Sequence, residues 1–202
     1  MDLAVGLLST QMSEAFGSLV GRLDGLTEAE FFWEPVPDPW TLRWMADGTW
    51  GYDYAFPDPD PSPFTTIAWR ISHIATCKIM YHEYAFGPRK LTWPELRIPR
   101  SVLGSMAMLE EGQALLVAAL HGLRDADLQE PCLTNWGETW PAWRIFWTMI
   151  DHDLWHGGEI GVLRDLYRGS PPRGDRSSSA GQVEDETMQP GVAGDLGMEG
   201  RG

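Results

Sequence analysis

The chain has 202 residues and a formal net charge of −14, with 43% apolar and 22% charged residues. That is the balance of a globular domain with a substantial core. The deficit of Lys and Arg excludes nucleic acid and anionic membrane surfaces as partners, since both select a basic face.

From Leu3 to about Leu23, Leu7, Leu8, Met12, Phe16, Leu19, Val20 and Leu23 recur at helical spacing and predict a first helix. Met1 to Phe16 carries Asp2 and Glu14 and no basic residue, unlike a signal peptide. No run reaches the roughly 18 consecutive apolar residues of a bilayer span. The only cysteines are Cys77 and Cys132, too few for a disulfide framework, so the expected setting is the reducing cytoplasm.

Leu26 to Glu30 reads as the cap and first turn of a short second piece. Residues 33–63 then combine Pro35, Pro37, Pro39, Pro57, Pro59, Pro61 and Pro63 with Trp33, Trp40, Trp44 and Trp50. The prolines forbid long regular structure while the aromatics demand burial, which predicts an ordered loop packed over the core. A second long helix is expected from Phe64 to Phe86, stopped by Gly87-Pro88. A third should run from Val102 to Leu123 and a fourth from Pro141 to Gly169. Residues 170–202 are rich in Gly, Ser, Pro and acids without apolar period, and read as a disordered tail. The expected domain is therefore residues 1–169, all-α, a four-helix bundle with a long ordered loop between its first two long helices.

The fourth helix carries His152-Asp153-Leu154-Trp155-His156-Gly157-Gly158-Glu159. Histidines four residues apart project from one face of a helix and can share a metal ion. At about 100° per residue, with His152 at zero, His156 falls near about 40° and Glu159 near about −20°. Ile145, Met149 and Leu163 share that stripe, so these polar groups face the core, where an unpaired one is costly. On the second long helix His73 shares its stripe with Thr66, Cys77 and Met80. A single inward histidine is more often a core residue bonded to a carbonyl or carboxylate. Three of them beside Glu159 favour a site for Zn²⁺, Ni²⁺ or Fe²⁺ with positions left for water or substrate.

The segments Ile67-Ala-Trp-Arg-Ile-Ser-His73-Ile-Ala and His152-Asp-Leu-Trp-His156-Gly-Gly-Glu-Ile-Gly-Val-Leu-Arg resemble the helix signatures of the DinB-like (YfiT-like) metalloenzyme superfamily. The likeness spans roughly residues 3–169 and leaves the tail outside. It implies a bundle of unusual connectivity and a divalent metal on His73, His152 and His156. Characterised members of that family are mostly thiol-dependent transferases and isomerases, which implies a low-molecular-weight thiol as co-substrate beside a small-molecule substrate. The leading expectation is a metal-dependent enzyme that activates a thiol or water, of transferase, isomerase or hydrolase type. The competing class is a non-catalytic small-molecule-binding or stress-response module with a structural metal.

Glu159 has three candidate parts, as a fourth ligand, as an acceptor that orients a ligand, or as a catalytic general base; the plain alternative is a pair with an arginine such as Arg70. Cys77 is either a thiolate ligand or, as is commoner, a small buried apolar residue. His82 and His121 have no partner in sequence. Asp151 and Asp153 flank the histidine stripe and read as solvated or as supporting it. On the opposite side lie Trp143, Trp147 and Leu154, with Gly157, Gly158 and Gly161 nearby. A helix apolar on two faces must be covered on both, so either residues 33–63 or a second subunit packs there. The glycines would permit close approach of that subunit, and a homodimer is the expectation.

Overall fold

A computed structural model of the protein describes residues 2–57 and 59–170. The expected tail, from residue 171 on, lies outside the described residues. Four long helices dominate: α1 (Leu3–Leu23), α3 (Ile67–Ala85), α4 (Val102–His121) and α5 (Ala142–Gly169), with a one-turn α2 (Glu28–Phe31) after α1. The predicted bundle is what forms. Helix α3 lies against α4 and α5, and α1 lies along α5.

Most of the apolar stripe read from sequence is buried, Leu7 at 58% exposed being the exception. Met12 and Leu19 of α1, Ile71 and Ile74 of α3, Leu109 and Leu116 of α4, and Ile145, Phe146 and Ile160 of α5 are all 1% exposed or less. Each such side chain contributes about 1.5–3 kcal/mol relative to an exposed one. Helix α4 is the one described helix long and apolar enough to cross a membrane by length and composition. Here its apolar side is spent on α3, while Glu110 and Glu111 are exposed.

Long-range contacts set the helix ends. Helix α3 begins at Ile67, three residues later than expected, because Phe64 and Thr66 are tied to the incoming loop. Trp40 N–H donates to Phe64 O, Thr66 N–H donates to Trp40 O, and Thr66 Oγ1 caps the helix by accepting from Trp69 N–H. The first turn of α1 is capped from across the chain: Ala4 and Val5 N–H both donate to the Asp125 carboxylate. Arg164 of α5 is buried against Glu30 at 2.7 Å and also donates to the carbonyls of Arg22 and Asp24, which locks the turn after α1 to α5.

The proline-flanked loop is ordered over the core as expected, and it adds a small antiparallel hairpin that sequence did not announce. Strand β1 (Leu42–Trp44) pairs with β2 (Trp50–Tyr52) around Gly48, whose φ of 78° suits glycine. Trp33, Trp50 and Tyr52 pack against the main core. A second hairpin, β3 (Pro131–Leu133) with β4 (Thr139–Pro141), leads directly into α5.

Two readings of α5 change. Asp153 is not solvated: it is 1% exposed and paired with Lys78 of α3, itself fully buried, at 2.7 Å. Helix α5 is flanked by α3 and α1 together, so the side of the histidine stripe is as buried as its centre. Gly157 and Gly161 serve this chain's own α1, because a Cβ at Gly157 would meet Leu19 at 3.5 Å and one at Gly161 would meet Arg22 at 3.3 Å. Residues 33–63 do not cover the outer face, which leaves Trp143 37%, Trp147 52% and Leu154 53% exposed.

Candidate metal centre

Helices α3 and α5 pack side by side, so the inward stripe of each meets the other, and the three predicted histidines converge. His152 Nε2 lies 3.1 Å from His73 Nε2 and 3.1 Å from His156 Nε2. One nitrogen from each ring lies within 4.8 Å of the others. Burial, reinforced by His156 and Arg70, pushes His73 down to about 3. His152 is held well below the ordinary histidine range by burial, then by His156 and His73. Both rings are neutral at pH 7 and present lone pairs.

Neighbouring residues fix how the rings stand. His156 Nδ1–H donates to Glu159 Oε2 at 2.6 Å, one turn further along α5, which leaves its Nε2 lone pair aimed at the cluster. Arg70 Nη1 of α3 holds the same carboxylate oxygen at 2.9 Å, and Trp155 Nε1–H donates to the other at 3.1 Å. Burial alone would raise the Glu159 carboxyl, but the His156 hydrogen bond and the Arg70 charge outweigh it and hold it below the usual range. Trp69 stacks on His73 with ring centroids 4.6 Å apart, and its Nε1–H donates to Asp53 O at 2.6 Å, which ties the hairpin loop to the ring's back.

The donor set fits a divalent cation. A proton on His152 Nε2 serves only one of its two neighbours and leaves other lone pairs facing each other; three lone pairs around a shared cation have no such conflict.

Of the other sequence candidates, Cys77 Sγ lies 3.9 Å from both ring nitrogens of His73, and burial pushes its thiol up to about 12. It is a protonated thiol beside the cluster, as the apolar reading has it. The Arg70 pairing suggested for Glu159 is present, and so is the link from Glu159 to a ligand. Asp151 is exposed. His121 Nε2 bonds Ser9 Oγ at the far end of α4, and His82 stays apart from the cluster.

His73 and His152 open into a cavity of about 1040 Å³ between the two hairpins and α3 and α5. Its walls include Trp50, Tyr52, Tyr81, Trp93, Trp136 and Met149. Met149 was on the stripe read from sequence; Trp50, Tyr52, Trp93 and Trp136 come from short strands and loops, where spacing carries no facing information, and were missed as wall residues. Trp69 did leave a signal, standing four residues before His73 on the same helix.

A helical bundle with three converging histidines, two of them facing a largely apolar cavity, presents a candidate metal centre. The chain belongs to the DinB superfamily, whose sequence profile matches residues 52–160, a stretch that includes all three histidines and Glu159. Among solved structures it is similar to a conserved protein from Enterococcus faecalis at 15% identity, over 84% of this chain and 99% of that one, with a TM-score of 0.53. That likeness supports the fold. No curated protein matches the chain.

Proposed function

We propose that this protein holds a divalent metal ion (zinc, nickel or iron(II)) on His73, His152 and His156 and is an enzyme acting on a small molecule in the adjoining cavity. The observation that carries this reading is the convergence of three imidazole nitrogens where two of the rings also face a cavity. An ion bound there would lower the pKa of a coordinated water or of a low-molecular-weight thiol co-substrate, which is the chemistry of a transferase, isomerase or hydrolase.

The chain's own residues do the rest. Glu159 is a positioning residue that selects the His156 tautomer, Arg70 holds Glu159, and Trp69 sets the plane of His73. The cavity walls beside the histidines are largely aromatic. A structural metal in a non-catalytic module would call for a closed ligand set; the cavity in front of His73 and His152 favours the catalytic reading.

Elemental analysis of purified protein supplied with each metal tests the reading. One ion per chain in the wild type, lost in His156→Ala with helix content retained, is expected. Absence of any stoichiometric ion under these conditions overturns it.

A second copy of the chain is proposed as the cover for Trp143, Trp147 and Leu154, whose combined exposure is unusual for aromatic and aliphatic side chains on one helix face. Light scattering at micromolar concentration should return twice the chain mass, and Trp147→Glu should halve it. A monomeric mass for the wild type rejects the dimer.

A further inference from the structure

The cavity beside the histidines carries a chemical preference. Its walls are mainly aromatic and aliphatic, and no lysine or arginine is among the described residues that line it. The two acids that do, Asp47 and Glu138, are already engaged: Asp47 Oδ1 accepts from Thr49, and Glu138 Oε2 accepts from Trp140 Nε1–H. Away from the proposed metal ion, an anion in this space would lose its hydration with no lysine or arginine on the walls to replace it, against two fixed carboxylates and a net charge of −14. A neutral apolar molecule meets only favourable surface. The volume, about 1040 Å³, is at the upper end for a ligand site, so the occupant is large. One polar group points to a specific need. Asn135, in the turn between β3 and β4, lines the cavity, and its Oδ1 is buried without a hydrogen-bond partner.

We infer that the substrate is a large, mostly apolar molecule without negative charge, whose hydrogen-bond donor is taken by Asn135 Oδ1. The inference rests on the proposed function only in placing that molecule next to His73 and His152.

A matched pair of dyes tests this: N-phenyl-1-naphthylamine, which is neutral with one N–H, and 8-anilinonaphthalene-1-sulfonate, the same skeleton with a sulfonate. Each is titrated by fluorescence into the full chain stripped of metal, so that failure of the metal reading, scored by elemental analysis, is scored separately. The neutral dye should bind at least about tenfold tighter. Thr148→Trp, which fills the cavity from α5, should weaken it by at least about tenfold, with circular dichroism confirming the fold; Asn135→Trp fills it from the β3–β4 turn if the first variant does not fold. Equal or tighter binding of the sulfonate overturns the inference. So does absence of neutral-dye binding, or binding unchanged in a folded cavity-filled variant.

Discussion

His156 Nδ1 and Glu159 Oε2 stand 2.6 Å apart on successive turns of α5, with Arg70 closing on the same oxygen from α3. The pair makes one histidine's orientation depend on a carboxylate that is itself held by the neighbouring helix. Glu159→Ala should weaken zinc affinity by about 10–100-fold with unchanged helix content. Glu159→Gln should recover part of the loss, because the amide oxygen still accepts from Nδ1–H. Competition with a chromophoric chelator measures both, and equal affinities in all three proteins would remove Glu159 from the site.

Acid should destabilise the metal-free protein. His73 in the folded chain is pushed down to about 3 from an ordinary 6.5, and His152 is lowered as well. Below pH 6.5 the unfolded chain therefore binds protons that the folded one refuses. The stabilisation is fully present above that pH and drains away as pH falls toward 3. From His73 alone the loss between pH 7 and pH 5 is about 2 kcal/mol. Urea unfolding of metal-free protein at the two pH values should show it, and His73→Gln should show a smaller drop. Identical drops in the two proteins would contradict the assignment.

Lys78 and Asp153 form a fully buried ion pair between α3 and α5, with Gln113 Oε1 accepting a further bond from Lys78 Nζ. Removing one partner leaves an uncompensated buried charge, so Asp153→Leu or Lys78→Met alone should cost about 3–5 kcal/mol. The double change Lys78→Met with Asp153→Leu should cost clearly less than either single change implies. Denaturant midpoints of the three variants form the cycle, and simple additivity would mean the pair is not coupled.

Two buried glycines should respond oppositely to alanine. At Gly112 a Cβ would sit 2.8 Å from Lys78 Cβ, so Gly112→Ala should destabilise by about 1–3 kcal/mol. At Gly157 the nearest atom would be Leu19 Cδ1 at 3.5 Å, ordinary contact, so Gly157→Ala should be neutral or stabilise by up to about 1 kcal/mol through helix propensity. Thermal melts distinguish the two, and a matching loss at both positions would argue against this packing.

The long helices were legible because each buries a stripe at a period of about 3.6 residues, and that period is local information. The same arithmetic put His152, His156 and Glu159 on one side of α5 and turned His73 inward on α3. It failed at Asp153, since helical phase gives an angle but not how wide an arc the neighbours cover. It also gave Gly157 and Gly161 to the approach of a second subunit, where this chain's own α1 packs.

The amino-acid sequence by itself determined the helices, the inward-facing donor set and the family. That α3 and α5 lie side by side, bringing His73 Nε2 within 3.1 Å of His152 Nε2 across 79 positions, is a product of the tertiary structure. So are the Lys78–Asp153 pair and the aromatic cavity built from two hairpins. Contacts within a turn follow from backbone geometry, whereas contacts between distant segments depend on how the whole set of apolar faces is satisfied at once.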